Sequence, residues 1–206
     1  PELRLSLSRA LELGGRFDEA SQILRQQIEL FGARRPKNRA LVHFQLARVS
    51  LAAGRRAEAI AELGAANKID PAHPGILQAL ARIAFEEGQY ERAKKTYSAL
   101  LLLIRPAEDR DDPSRAEALL DLAEIAGKSD NPVQAAEFVE SAFEAALEHP
   151  GEAARLEARL RARGRRDLLA RSIEARVERA RRPEDAARAL GHRHLRAGHF
   201  VDNPAS

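Results

Sequence analysis

Five glycines set the length of the unit from which this chain is built. Gly15, Gly54, Gly88, Gly164 and Gly198 each follow an apolar stretch, and the intervals 54 to 88 and 164 to 198 are both 34 residues. Their surroundings repeat with them: residues 11–20 read LELGGRFDEA, 50–59 read SLAAGRRAEA and 84–93 read AFEEGQYERA. A fixed period of this length marks a solenoid, in which each unit has an apolar face too small to fold alone and buries it on its neighbour.

Numbering each glycine as position 15 of its unit turns the pattern into packing chemistry. Positions 7 and 8 hold Leu7-Ser8, Leu46-Ala47, Leu80-Ala81, Leu122-Ala123 and Leu190-Gly191. Position 20 is Ala20, Ala59, Ala93 and Ala135, and position 24 is Leu24, Leu63, Tyr97 and Val139. Positions 7, 8 and 11 share one face of a first helix, and 20, 24 and 27 one face of a second, so large residues on one fill the space left by alanines on the other. Glycine suits the residue that ends the first helix, where a positive φ is cheap for it. A ring at position 17 (Phe17, Tyr90, Phe200) covers the turn, and Pro71 after Ile69-Asp70 closes the second helix of the second unit.

This pattern resembles the tetratricopeptide repeat, a helix-turn-helix unit. The resemblance implies an all-α, right-handed superhelical solenoid of antiparallel helix pairs, a single array over 1–206. Repeats fall at about 1–34, 40–73, 74–107, 116–149 and 150–183, with helix A of a sixth at 184–197. The chain departs from the pattern at Gln27, at Asp130-Asn131-Pro132 where a glycine turn belongs, at Glu157 (position 8) and at Leu169 (position 20). Five residues are inserted at 35–39 and eight at 108–115, where EDRDDPSR lies; Ser114 and Glu117 there predict a capping box for the next helix. A chain that begins inside one repeat and ends halfway through another reads as a piece of a larger array.

Composition removes several function classes. Without cysteine there are no disulfides, zinc-thiolate sites or cysteine nucleophiles. No apolar run reaches membrane length, so no membrane span is expected, and the location expected is cytoplasmic. Five lysines among 34 basic residues, with no methionine, read as the codon bias of a GC-rich bacterial genome, which must be discounted before any arginine is given a role. Hydrolytic or transfer chemistry needs a nucleophile with its base, paired carboxylates in a pocket, or spaced metal ligands. The one candidate is His192-x-His194 with His199; residues i and i+2 point about 200° apart on a helix, so His192 and His194 do not face one metal unless the helix breaks. The expectation is no enzyme, no cofactor and no metal site.

Function then falls to surface, and the resemblance implies the concave groove lined by helix A at positions 2, 5, 9, 12 and 13. Position 9 is Arg9, Arg48 and Arg82 in the first three repeats, beside an apolar strip of Leu5, Phe44, Leu51 and Phe85, with Gln78 at position 5 of the third. Helices A of adjacent repeats lie roughly 10 Å apart, so neighbouring arginines repel by only about 0.4 kcal/mol in water and the row needs no ligand to be tolerated. Its chemistry suits a protein or peptide partner, an acidic one in particular: a guanidinium bonds a carboxylate bidentately while its stem packs on a ring. Some family members grip a C-terminal carboxylate with a Lys, Asn and Arg clamp. The corresponding places here hold Leu5, Arg9, Gln45, Gly75 and Ala79, so that clamp is not expected.

Two further surfaces stay open on sequence. Residues 1–150 carry 20 Lys+Arg against 23 Asp+Glu, a net of −3, while 151–206 carry 14 against 8, a net of +6; the sum is the overall +3. The basic fifth and sixth repeats are either a solvated face or a module for nucleic acid or acidic protein surfaces, though Phe200 alone offers a ring for stacking bases. Leu100 to Ile104, in SALLLLIRP, leave helix B of the third repeat apolar all round, for burial against repeat four or for self-association.

Overall fold

The structure, a computed structural model, describes residues 2–32, 35–104 and 113–181. Among them lie ten helices and no strand: α1 (Glu2–Leu13), α2 (Phe17–Phe31), α3 (Pro36–Ala52), α4 (Arg56–Ile69), α5 (Pro74–Glu86), α6 (Tyr90–Leu101), α7 (Arg115–Lys128), α8 (Pro132–Glu148), α9 (Pro150–Ala162) and α10 (Arg166–Arg181). Odd-numbered helices are the A helices and even-numbered ones the B helices. Gly198, Phe200, the three histidines near it and the sixth repeat's helix at 184–197 lie outside the described residues.

The recurring turn has one hydrogen-bond pattern. At Gly88 (φ 72°) the glycine N–H donates to the Phe85 carbonyl at 3.0 Å and the Gln89 N–H to Ala84 at 2.8 Å, which satisfies carbonyls that the end of α5 would leave open. The same pairing closes α1, α3 and α9 at Gly15, Gly54 and Gly164. The fourth turn keeps the geometry without glycine: Asp130 takes φ 56°, Asn131 N–H reaches Ala126 at 2.9 Å, and the Asn131 side chain then caps α8 by accepting from Gln134 N–H at 3.1 Å. Asp tolerates the left-handed region better than most residues, which explains the departure. Between repeats, prolines at N1 start α3, α5, α8 and α9. α3 begins at Pro36, so residues 36–39 of the inserted stretch form its first turn.

The core runs as a chain of clusters, each shared by consecutive helices. Leu11, Leu24 and Phe31 of the first repeat pack on Val42, Leu46 and Val49 of α3. Ala47, Leu63 and Ala66 then pack on Ile76 and Ile83 of α5, and Ala81, Tyr97 and Leu100 on Leu122 and Ile125 of α7. Leu119 and Phe143 continue to Leu156, Leu160 and Leu168. Leu24, Leu46 and Leu63 have no exposed surface, and each such side chain contributes roughly 1.5–3 kcal/mol through burial. Positions 3, 7 and 10 of α3, α5, α7 and α9 thus meet the preceding repeat.

Three local expectations need correction. Leu7, at a packing position, is exposed, because no helix among the described residues precedes α1. The third repeat's second helix does not continue through Ile104: α6 ends at Leu101, Leu100 is buried, and Leu102 and Leu103 stand exposed in a turn. At α7 only half of the capping box forms as expected. The Ser114 hydroxyl accepts from Glu117 N–H at 3.2 Å, but the Glu117 carboxylate pairs with Arg155 at 3.0 Å, and the acidic cap comes from Glu152 of the next repeat.

Candidate functional site

The A helices carry all eight residues singled out from the sequence. On α3, Phe44, Arg48 and Leu51 stand four and three residues apart and so share one face. Arg48 is half-buried and makes no hydrogen bond or ion pair with the described residues, whereas Leu51 is exposed. Phe44 is half-buried because its ring packs across the repeat junction, 5.5 Å from the His73 ring and close against Gly75, where an added Cβ would lie 3.0 Å from Cζ. Leu5 packs partly into the first core cluster, Gln78 is half-buried and Arg9 is exposed.

Arg82 and Phe85 of α5 line one cleft, of about 240 Å³, together with Glu86, Tyr97, Asp121, Arg159, Ala162 and Arg163. Arg82 Nε donates to Glu86 at 3.1 Å, and Arg56 donates to the same carboxylate at 2.7 Å. The Arg56 hydrogen bond, with Arg82 adding to it, holds the Glu86 carboxyl below the usual carboxylate range. Phe85 leans on Tyr90, with ring centroids 5.8 Å apart.

The floor of the cleft is a buried ionic knot that sequence reasoning missed. Asp121, 4% exposed, accepts the Tyr97 hydroxyl at 2.7 Å, Arg159 Nη2 at 2.9 Å and Arg163 Nη2 at 2.6 Å. Burial first, and then the Asp121 charge, push the Tyr97 phenol up, so it stays a neutral donor. Arg163 also reaches Glu124 at 2.5 Å and Arg155 reaches Glu117 at 3.0 Å. The signal was present as spacing: Glu117, Asp121 and Glu124 recur at i, i+4 and i+7 on α7, opposite Arg155 and Arg159 on α9 and Arg163 at its C-cap, at i, i+4 and i+8. Where the three earlier junctions have apolar residues at positions 3 and 10 (Val42 and Val49, Ile76 and Ile83, Ala118 and Ile125), this one has Glu152 and Arg159.

The ladder changes how the basic fifth repeat reads. Its arginines serve the fold: Arg161 and Arg176 both hold Glu157, Arg165 pairs with Asp167 at 3.2 Å, and Arg171 pairs with Glu140 at 2.5 Å. A phosphate backbone would compete with these carboxylates for the same guanidiniums. The described residues hold no cluster of three or more His, Asp or Glu able to bind a metal, and no helix among them is long and apolar enough to cross a membrane.

Stacked helix pairs joined by one turn motif define an all-α repeat protein of tetratricopeptide-like fold. Residues 50–108 match the family profile described as tetratricopeptide repeat. Solved structures agree on the fold. Nearly identical TPR-like repeats from Podospora anserina are 23% identical, with a TM-score of 0.61 over 87% of this chain and 94% of theirs. The pilF protein of Pseudomonas aeruginosa is 18% identical, with a TM-score of 0.59 over 86% of this chain and 75% of its own. The quorum sensor NprR of B. thuringiensis, in its apo form, is 17% identical, with a TM-score of 0.60 over 78% of this chain and 48% of its own. No curated protein matches the chain.

Proposed function

We propose that this protein is a non-enzymatic, cytoplasmic scaffold that binds an extended or helical segment of a partner protein along its A helices, with Arg48 as the charged anchor. The observation that carries the reading is the state of Arg48. Arg82 and the arginines of the ladder already have carboxylates, whereas Arg48 is a half-buried cation with no such partner among the described residues. It stands between Phe44 and Leu51 on one helix face. A partially desolvated guanidinium flanked by apolar surface favours an acidic side chain that brings apolar contacts with it. The charge gives orientation and on-rate, and the apolar neighbours supply buried area.

The test is charge reversal. Arg48→Glu together with Arg82→Glu is expected to abolish capture of the natural partner while helicity is retained; the exposed Arg82 change should cost no more than about 0.5 kcal/mol, and a melt of the variant measures the cost at the half-buried Arg48. Arg48→Glu alone is the cleaner variant, because Arg82 also holds Glu86. Partner capture that survives both changes would move the binding face elsewhere. A gel shift with random DNA, read against salt, separates this reading from nucleic-acid binding by the C-terminal repeats, because phosphate contacts weaken steeply as salt rises.

A further inference from the structure

A cavity of about 340 Å³ opens between the fourth and fifth repeats, at a place that the earlier junctions fill. α7 contributes Leu120 and Gly127 to its walls, α8 contributes Ala135, Ala136 and Val139, and α10 contributes Leu168. Three of these positions carry smaller residues than their counterparts. Positions 12, 21 and 24 are Leu51, Ile60 and Leu63 in the second repeat and Phe85, Lys94 and Tyr97 in the third, but Gly127, Ala136 and Val139 in the fourth. Leu63 and Tyr97 are buried, whereas Val139 is half-buried and Ala136 exposed, and a Cβ added at Gly127 would meet nothing within 4 Å. Position 21 also ties other repeats to the B helix of the next: Ser21 Oγ accepts from Arg55 at 3.0 Å, and Lys94 Nζ donates to Gln134 at 2.9 Å. Ala136 has no group with which to reach α10. The gap therefore comes from side chains shortened at one junction between stacked repeats.

We propose that this cavity binds a small, uncharged, apolar molecule, roughly one or two rings in size. Its volume falls in the range of about 300–1,000 Å³ of small-molecule pockets, and a cavity of about 150 Å³ already takes benzene. The wall residues on the three helices are aliphatic and offer no side-chain donor or acceptor, so water there gains little that an apolar ligand does not replace with dispersion contact. Charge is confined to the rim and is already matched. Glu124 is held by Arg163 and Glu140 by Arg171, both at 2.5 Å, and Arg165 by Asp167 at 3.2 Å. Arg171 also lies over the Phe143 ring, 5.4 Å from its centroid. An ionised ligand would have to displace one of these partners, whereas a neutral one leaves them in place. Arg48 and its neighbours on α3 take no part, so the site stands or falls independently of partner binding there.

The probe is indole, a neutral fused-ring compound, titrated against the full 206-residue chain and followed by methyl NMR. The Leu120, Val139 and Leu168 methyl signals are expected to shift together and saturate with a single Kd, about 0.5 mM for a ligand of this size. Indole-3-carboxylate, the same rings bearing a charge, should bind roughly tenfold more weakly. Ala136→Phe fills the cavity from an exposed helical position and should abolish the indole shifts with helicity retained. Ala135→Leu repeats the test from the half-buried neighbour should circular dichroism show the first variant disturbed. Methyl signals that do not move with indole overturn the proposal. Shifts that survive in both variants overturn it too, by placing the probe elsewhere. Equal binding of the carboxylate removes the preference for a neutral ligand and with it the proposal. Indole without effect, together with loss of partner capture in Ala136→Phe, would instead assign the cavity to an apolar side chain of a partner.

Discussion

The Glu152 carboxylate of α9 accepts the Ser114 hydroxyl, which precedes α7, at 2.5 Å, so one repeat supplies the cap of another. Glu152 also accepts the Arg115 and Ala116 amides, at 3.2 and 2.9 Å, and Ser114 accepts Glu117 N–H. Three of the four amides that begin α7 are thereby satisfied, with a negative charge at the positive end of the helix dipole. Glu152 is 1% exposed and Ser114 fully buried, so removing the carboxylate strands polar groups away from water. Glu152→Ala should lower stability by about 2 kcal/mol, read as a shift in urea midpoint at constant slope. Glu152→Gln keeps one acceptor and should lose about half as much; equal losses would show that charge outweighs geometry at this cap.

The Asp121 knot makes a second prediction. Asp121→Ala leaves the Tyr97 hydroxyl and two guanidiniums without their shared acceptor. Breaking a fully buried pair costs about 3–5 kcal/mol. Here the Arg159 and Arg163 side chains remain 25% and 22% exposed and water can reach them, so the expected loss is nearer about 2 kcal/mol. Urea unfolding measures it, and a double-mutant cycle with Arg159→Ala should show coupling between the two sites.

Alkaline pH should weaken the fold through Tyr97. Its phenol is held above the ordinary value of about 10, by burial foremost. Below that pH the group is protonated in both folded and unfolded chains, and its contribution is fully present. Above it the unfolded chain releases a proton that the folded chain retains, so stability falls as pH rises, by up to about 1.4 kcal/mol per pH unit. Tyr97→Phe should be less stable at neutral pH yet show a shallower decline from pH 10 upward. An unchanged slope would mean that Tyr97 does not carry the alkaline loss.

Two glycines separate backbone strain from crowding. A Cβ at Gly88 meets nothing within 4 Å, so the loss in Gly88→Val comes from φ alone and should exceed about 1 kcal/mol. Gly75→Ala has an ordinary backbone but would set its Cβ 3.0 Å from the Phe44 ring, and should cost about 1 kcal/mol by displacing that ring. Thermal melts of both variants, with Gly54→Ala as a second dihedral control, test the assignment.

The repeat was legible because its signals are local. A left-handed residue after each A helix, alanines at position 20 and large residues at 7 and 24 answer to neighbours a few residues to a few tens of residues away. Even the exception at Asp130 keeps the positive φ and the amide bond of the residue after it, from Asn131 N–H to Ala126. The candidate site was legible only as a set of residue types on one face. Nothing in the row of Arg9, Arg48 and Arg82 distinguishes the members; that Arg82 is held by Glu86 while Arg48 lacks such a partner depends on which side chains come within reach.

The order of the helices, their turns and their apolar registers were therefore determined by the sequence itself, because each depends on backbone conformation and a short-range period. Which charges remain available to a partner was decided only in three dimensions. The net of +6 after residue 150 suggested a basic surface, yet Arg155, Arg159 and Arg163 stand opposite Glu117, Asp121 and Glu124, 38 or 39 residues earlier in the chain. A formal charge is a property of the residue, but its availability depends on distance and burial, and those arise only when the fourth and fifth repeats stack.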